Sequence, residues 1–335
     1  MPKTRGRIVV IARALSPIIH GGDTVGNVQQ VRRKTVYTDD GAWEVPFISG
    51  NSIKHLVREN ATRFALEALG VEGGLTRQEL QLLFSGGAMT KGGGSVRLDK
   101  AREAEEYFPA LALCGYSAGN TMTESQLRVD HWEVVCAENA NRLRAEVERY
   151  APECLPLFEK YGSEFVSTEF GTRHETTRRR ELRELLSEVE RADVEHEISE
   201  KMTKKNAGKG DSLQMYYEHE VLVPGTVFVG GFAFPHGVTE RELAAFQSAF
   251  AYASQGASSD GGLILHVGGQ ASVGHGKVSV RMFGLLAEGI EPMTFRATDD
   301  LVPDLMQGAG DVLGEYVEHL RENRDKVSAA IRSLS

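Results

Sequence analysis

The segment Val45–Leu69, VPFISGNSIKHLVRENATRFALEAL, decides how the chain is read. It predicts a short strand, a Ser49-Gly50-Asn51-Ser52 turn and then a long amphipathic helix. Ser49 or Asn51 suits the N-cap, because a short polar side chain accepts from the free amides of the first helical turn. Leu56, Ala61, Phe64, Ala65 and Leu69 fall near helical spacing and mark the expected buried face. Lys54, His55, Arg58 and Arg63 crowd the opening turns, where the helix dipole favours negative side chains. Cations beside free backbone amides prepare a helix start for an anion such as a phosphate. The same pattern also fits an ordinary solvated helix face.

Upstream, Arg7–Leu15 reads as a central strand on account of Ile8, Val9, Val10 and Ile11, and it ends at Ser16-Pro17. Ile18–Asn27 is expected to be a glycine-rich loop. Lys34–Tyr37 and Trp43–Ile48 flank Asp40-Gly41, a hairpin turn signal. Downstream come a short helix at Thr76–Phe84, a glycine loop at Gly86–Gly94, strand-like sequence over Pro109–Cys136 and a helix over Asn139–Arg149. From Thr168 to Gln214 the character changes: two basic groups flank a polar, acidic helix at Glu184–Glu200, with too few apolar residues for a core of its own. Tyr216–Val223 and Val227–Phe234 read as strands joined at Pro224-Gly225, and Thr239 caps a helix over Glu240–Ala253. Leu263–His266 and Val278–Met282 are strands around the loop Gly268–Lys277, and Asp311–Ser333 is a charged final helix. Strands and helices mix without strict alternation, so the class is α+β.

The 335 residues are 41% hydrophobic and 25% charged, which is globular composition. No stretch is apolar enough to span a membrane, and MPKTRGRIVVIARAL reads as a first strand rather than a signal peptide, so the expected location is cytoplasmic. Cys114, Cys136 and Cys154 have no metal or disulfide spacing. The net charge of −9 argues against nucleic acid until its distribution is considered. Residues 1–63 hold ten Lys/Arg against five Asp/Glu, whereas residues 284–335 hold five against ten.

Two patterns suggest catalysis. Gly115-Tyr116-Ser117-Ala118-Gly119 matches the nucleophile elbow of esterases, with His20-Gly21-Gly22 as a candidate oxyanion loop and Asp260 with His266 or His275 in the required order. That chemistry needs Ser117 on a sharp strand-to-helix turn, yet the following NTMTESQLRVD reads as a turn and a strand. Gly274-His275-Gly276 lacks the third glycine of a dinucleotide site, and there is no phosphate-binding G-x-x-x-x-G-K-[ST] and no H-E-x-x-H. The expectation is therefore no cofactor and no metal, with His131, His219 and His266 as strand or core residues.

Four features occur in a fixed order: a glycine-rich loop after the first strand, Phe47-Ile48-Ser49-Gly50-Asn51-Ser52-Ile53-Lys54 opening a helix, Leu111–Asp130, and the late Gly268-Gly269 to Gly274-His275-Gly276-Lys277. Over roughly residues 7–282 the chain resembles the RAMP superfamily of CRISPR-associated proteins. More narrowly, it resembles the repeating backbone (Cas-seven family) subunit of Class 1 effector complexes, with the helical arm and the His20–Asp23 loop leaning to the type IV branch. Within that resemblance Cys114-Gly115-Tyr116 and Ser125-Gln126-Leu127-Arg128-Val129-Asp130 fit one family segment, which gives the esterase-like pentapeptide another explanation. His55 stands where the family has a small residue.

The resemblance implies an RRM-like (ferredoxin-type) palm from residues 1–167 and 212–283, with finger insertions at roughly 70–110. It implies a thumb insertion at 168–211 and an acidic C-terminal extension at 284–335 ending in a helix. The implied function is to bind guide RNA (crRNA), to oligomerise head to tail along it, and to meet the complementary target strand and other subunits of the complex. Residues that suit RNA contact are Asn51, Ser52, Lys54, His55 and Arg58 at the helix start, and Arg173, Arg178, Arg179, Lys201, Lys204 and Lys205 in the thumb. Gly268, Gly269, Gln270, His275 and Lys277 in the late loop complete the set. Following an RNA backbone needs cations and amides rather than base-reading groups. No catalytic residue is expected, although in the type III branch an Asp in the loop after the first strand cleaves RNA, and Asp23 lies in that loop here.

Overall fold

A computed structural model describes residues 4–26, 28–87, 98–118, 121–174, 187–206, 214–255, 257–259, 262–286 and 309–334. The chain opens with β1 (Thr4–Ala14), the hairpin β2 (Gly21–Val25) and β3 (Val28–Val31), and the hairpin β4 (Arg33–Thr38) and β5 (Gly41–Ile48). α1 (Gly50–Ala68) follows, then α2 (Arg77–Leu80) running into a π-helical turn, α3 (Leu98–Tyr107) and α4 (Pro109–Cys114). Short strands β6 (Ser117–Ala118), β7 (Thr121–Met122), β8 (Arg128–Val129) and β9 (Trp132–Val134) lead to α5 (Ala140–Tyr150). β10 (Val166–His174), α6 (Glu188–Asn206) and β11 (Gln214–Leu222) come next. β12 (Val227–Val238), α7 (Glu240–Ser254), β13 (Ser258–Ser259), β14 (Gly262–His266) and β15 (Lys277–Leu286) precede the final helices α8 (Ala309–Glu322) and α9 (Arg324–Leu334).

The larger sheet runs β13-β14-β15-β1-β12-β9-β5-β4, with β8 also on β12. β1 is antiparallel to both β12 and β15. Its unbroken apolar run follows from burial on both faces: Ile8, Val10, Ala12 and Ala14 enter one core, and Val9 and Ile11 enter a second. The second core is closed by Leu143 and Val147 of α5 with Cys154 and Phe158. On the first face, α1 and α7 pack together beneath the sheet. Phe232 of β12 meets Phe246 and Phe250 of α7 at ring-centroid separations of 5.1 and 5.6 Å. A capping box between Thr239 and Glu242 starts α7. A smaller sheet, β10-β11-β3-β2, stands beside the first.

Several expected elements are observed, and others differ for identifiable reasons. The β4–β5 hairpin turns at Thr38↔Gly41, as Asp40-Gly41 predicts. Residues 18–27 are not a loop throughout: Gly21–Val25 pairs with Val28–Val31, and the glycines fit because a Cβ at Gly22 would press on the Arg32 backbone. Pro109–Cys114 is helical rather than extended, since Pro109 suits the first helical turn and its six residues are all buried. β11 and β12 do not pair with each other; β11 joins β10 and β3, while β12 joins the larger sheet. The charged final segment is two helices, not one. Tyr316 and Leu320 of α8, and Val327, Ala330, Ile331 and Leu334 of α9, join the main core. Tyr316 stacks on Phe64 of α1 at 6.2 Å.

Candidate nucleic-acid interface

The start of α1 is built by the motifs that single it out in sequence. Ser49 is the N-cap, its side chain accepting from the Ser52 amide at 3.2 Å. Gly50 is required because a Cβ there would lie 2.6 Å from the Val129 carbonyl oxygen and 3.1 Å from that of Asp130. The SGNS turn and the Arg128-Val129-Asp130 strand end are thus pressed backbone to backbone. The buried face of α1 is Ile53, Val57, Ala61 and Ala65, with Leu56 and Phe64 packed at its edge. The expected stripe is rotated, so Ile53 and Val57 carry the contacts assigned to Leu56 and Phe64.

The helix start is not an open nest of amides. The Ser49 amide donates to His20 Nε2 at 3.0 Å, and the Gly50 amide donates to His131 Nδ1 at 2.9 Å. His20 is buried. Burial, with Arg32 and His131 adding to it, lowers its pKa to about 4, so it stays a neutral acceptor. His131 is exposed and its ring lies 4.8 Å from that of Phe47. Two imidazoles therefore occupy the positions first read as available to a phosphate, and neither announced itself in the sequence. Their sequence distances from Ser49 and Gly50, 29 and 81 residues, explain why.

Around this start the predicted cations divide into two groups. Arg58 donates to the carbonyl oxygens of Cys114 and Gly115, both at 2.8 Å, and so ties the end of α4 to α1. Gly86 is needed there, since a Cβ would collide with that guanidinium. His55 is exposed and lies 3.6 Å from Glu59, which also pairs with Arg63 at 2.8 Å. Lys54 is partly buried; burial lowers its pKa, Cys114 opposes the shift, and Arg58 adds a smaller lowering. Asn51 is exposed and Ser52 half-buried. In the Arg32-Arg33-Lys34 run, Arg33 pairs with Glu220 at 2.8 Å and Lys34 with Glu133. Arg32 is exposed and enters no ion pair among the described residues, a free cation beside His20 that the motif reading did not single out.

The late glycine loop meets α1 directly. Ser52, His55, Leu56, Glu59 and Asn60 face His266, Val267, Gly268 and Ala271 across a cleft of about 360 Å³. The role of Gly268 is to approach protein backbone: at φ +81° a Cβ would collide with the Ile19 carbonyl, and the Gly269 amide donates to that oxygen at 2.8 Å. Gln270 is exposed in the left-handed region at φ +59°. Lys277 is exposed, with its backbone amide on Ser16 Oγ at 2.9 Å. His275 instead turns to Glu169, its Nε2 lying 2.8 Å from Oε2.

The remaining positions lie elsewhere. Arg173 is on β10, and Lys201, Lys204 and Lys205 are on α6; Arg178 and Arg179 lie outside the described residues. Asp23 is exposed on β2. Ser117 lies in the small β6–β7 hairpin, its amide on the Gly86 carbonyl at 2.7 Å, so the strand-to-helix elbow of an esterase is not formed. Asp260 lies outside the described residues, and His266 is exposed at the end of β14.

The chain is an α+β protein of mostly antiparallel sheets backed by helices, in which the SGNS helix start lies against a late glycine loop. Residues 5–84 match the family model described as "CRISPR-associated negative auto-regulator DevR/Csa2". The fold is shared with a chain of a "Type IV-B CRISPR Complex", at 18% identity and a TM-score of 0.53, covering 87% of this chain and 94% of that one. The crystal structure of Thermofilum pendens Csc2 aligns at 15% identity and a TM-score of 0.38, over 98% and 81% of the two chains. Among curated proteins, none matches the chain. The protein therefore resembles a CRISPR-associated family in sequence over residues 5–84 and a CRISPR-complex chain in fold over most of its length.

Proposed function

We propose that this protein is a backbone subunit of a Class 1 CRISPR effector complex, binding guide RNA along its sugar–phosphate chain and stacking head to tail upon it. The observation that carries the reading is the cleft between the α1 start and the Gly268–Lys277 loop, where two separate motifs of the resemblance converge. His55 lines this cleft, and Lys54 of α1 and Lys277 at the end of the loop are cations on the two elements that form it, without a base-reading constellation. In this reading the strand order β15-β1-β12-β9, with α1 and α7 on one face, is an RRM-like palm, and β10–α6–β11 is the thumb. The thumb cations Arg173, Lys201, Lys204 and Lys205 then track the same RNA, which also pairs with a target strand. Other subunits cap the filament.

The subunit is proposed to be non-catalytic. Among the described residues, the one group of three or more clustered metal-type ligands is Glu169, His219 and His275, which does not include Asp23.

Co-expression with a matching guide should yield protein that carries RNA and migrates as a multimer. Arg32→Glu with Lys54→Glu should abolish RNA co-purification while the circular dichroism stays native. The salt dependence of binding should fall by about 0.7 in log–log slope for each phosphate contact removed. Monomeric, RNA-free wild-type protein would refute the proposal.

A further inference from the structure

Three side chains from distant parts of the sequence meet at the root of the β10–β11 arm. Glu169 of β10 and His219 of β11 are direct cross-strand partners, a pairing that places Cβ atoms about 5 Å apart on one face. His275 arrives from the glycine loop. Its Nε2 lies 2.8 Å from Glu169 Oε2, and His219 Nε2 lies 3.6 Å from the same oxygen. One ligand atom from each residue falls within 4.8 Å of the other two. His219 is buried, His275 half-buried and Glu169 partly exposed, so the cluster has a shielded base and a side open to solvent.

We propose that Glu169, His219 and His275 form a binding site for a divalent transition metal of the zinc class. Zinc–nitrogen and zinc–oxygen bonds of 2.0–2.2 Å give tetrahedral ligand–ligand edges of about 3.4 Å, and the two measured separations of 2.8 and 3.6 Å bracket that value. Two imidazoles and one carboxylate suit Zn²⁺ or Co²⁺, whereas Mg²⁺ and Ca²⁺ require mostly oxygen ligands. Three protein ligands leave a fourth position for water or an incoming group.

The backbone around the cluster is set in advance. His219 and Glu169 are fixed by the β10–β11 ladder. His275 stands between Gly274 and Gly276, both at positive φ, and the Gly276 amide donates to the Pro17 carbonyl at 2.7 Å. A Cβ at Gly276 would collide with the Val267 carbonyl, so the loop is held tightly where it delivers the imidazole. The metal would fasten the glycine loop to the arm, two elements that the chain otherwise joins here through the His275–Glu169 hydrogen bond. Among the described residues, His275 Nδ1 is buried without a hydrogen-bond partner. A metal held by Nε2 would fix the tautomer that carries its proton on Nδ1. The three residues are separated by 50 and 56 positions, so no short spacing motif betrays the site.

The test uses full-length protein, freed of any affinity tag and stripped with chelator, then titrated with Zn²⁺ and separately with Co²⁺. The expected result is one equivalent of Zn²⁺ retained through dialysis, a rise in Tm, and the visible d–d absorption of four-coordinate Co²⁺. Glu169→Gln and His275→Ala should each weaken binding at least tenfold with an unchanged circular dichroism spectrum. His236→Ala, an exposed histidine on β12, should bind as wild type. Absence of both the Co²⁺ spectrum and retained Zn²⁺ would overturn the proposal, and so would undiminished binding by the first two variants. RNA co-purification is a separate readout, so failure here leaves the proposed function standing.

Discussion

Protonation of His20 should loosen the start of α1. The neutral ring accepts the Ser49 amide at 3.0 Å, and a second proton would turn that acceptor into a donor facing a donor. Burial, then Arg32 and His131, lower the pKa from 6.5 to about 4 in the folded chain. The unfolded chain therefore takes up the proton first as pH falls. The stabilisation from the neutral ring is complete above pH 6.5, declines as pH drops towards 4, and changes no further below that. Each pKa step of one is worth about 1.4 kcal/mol, which makes the whole effect about 3 kcal/mol, with about 2 kcal/mol of it gone by pH 5. Urea unfolding of wild type and His20→Gln at pH 7.5 and pH 5.0 measures it, because glutamine also offers an acceptor but does not titrate. Other titrating groups, His319 among them, are common to both proteins and cancel in the difference. Wild type should lose about 2 kcal/mol more than the variant between the two pH values. Equal losses, or a His20 NMR titration midpoint above 6, would refute the reasoning.

Arg58→Ala should destabilise the protein by about 2–4 kcal/mol in urea, because two charge-assisted bonds to the Cys114 and Gly115 carbonyls disappear together. Arg58→Lys should recover only part of this, since an ammonium lacks the planar fork that reaches both oxygens. A loss below 1 kcal/mol for the alanine variant would contradict the structural role. Tyr316→Phe should leave Tm unchanged or raise it, by up to about 1 kcal/mol of stability, because the buried hydroxyl has no hydrogen-bond partner among the described residues. A clear fall in Tm would show that this oxygen is satisfied.

Local patterns were the legible part of this molecule. The Ile8–Ile11 run, the Asp40-Gly41 turn, the Ser49 cap and the Thr239 capping box each depend on neighbours within a few residues, and each appears where the sequence predicts it. The strand at Gly21–Val25 was hidden because its pairing partner supplies the order that glycine-rich sequence lacks. Pro109–Cys114 is helical although its sequence also suits a strand, because a six-residue apolar run has no distinguishing period. At the site, the ordered motifs single out α1 and the Gly268 loop separately, and only the fold brings the two together. The roles of individual cations were not legible, because Arg58 and Arg33 look alike in sequence to Arg32 and are distinguished only by carbonyls and carboxylates brought from elsewhere. The imidazole caps and the Glu169–His219–His275 cluster were invisible for the same reason.

The place of β1 in the larger sheet has a consequence for how the protein is made. β1 is synthesised well before its partners: among the described residues it pairs with β12 and β15, whose residues lie more than 200 positions further along. At translation rates of about 5–20 residues per second, Ile8–Ile11 wait roughly 10–40 s with both edges unpaired. Contacts this distant also slow the search that follows release. Yield should therefore depend on growth temperature and on chaperones that shield apolar nascent segments. A circular permutant that begins after Val238 and joins the old termini by a flexible linker would synthesise β15 and β1 in sequence, and should shorten that exposure.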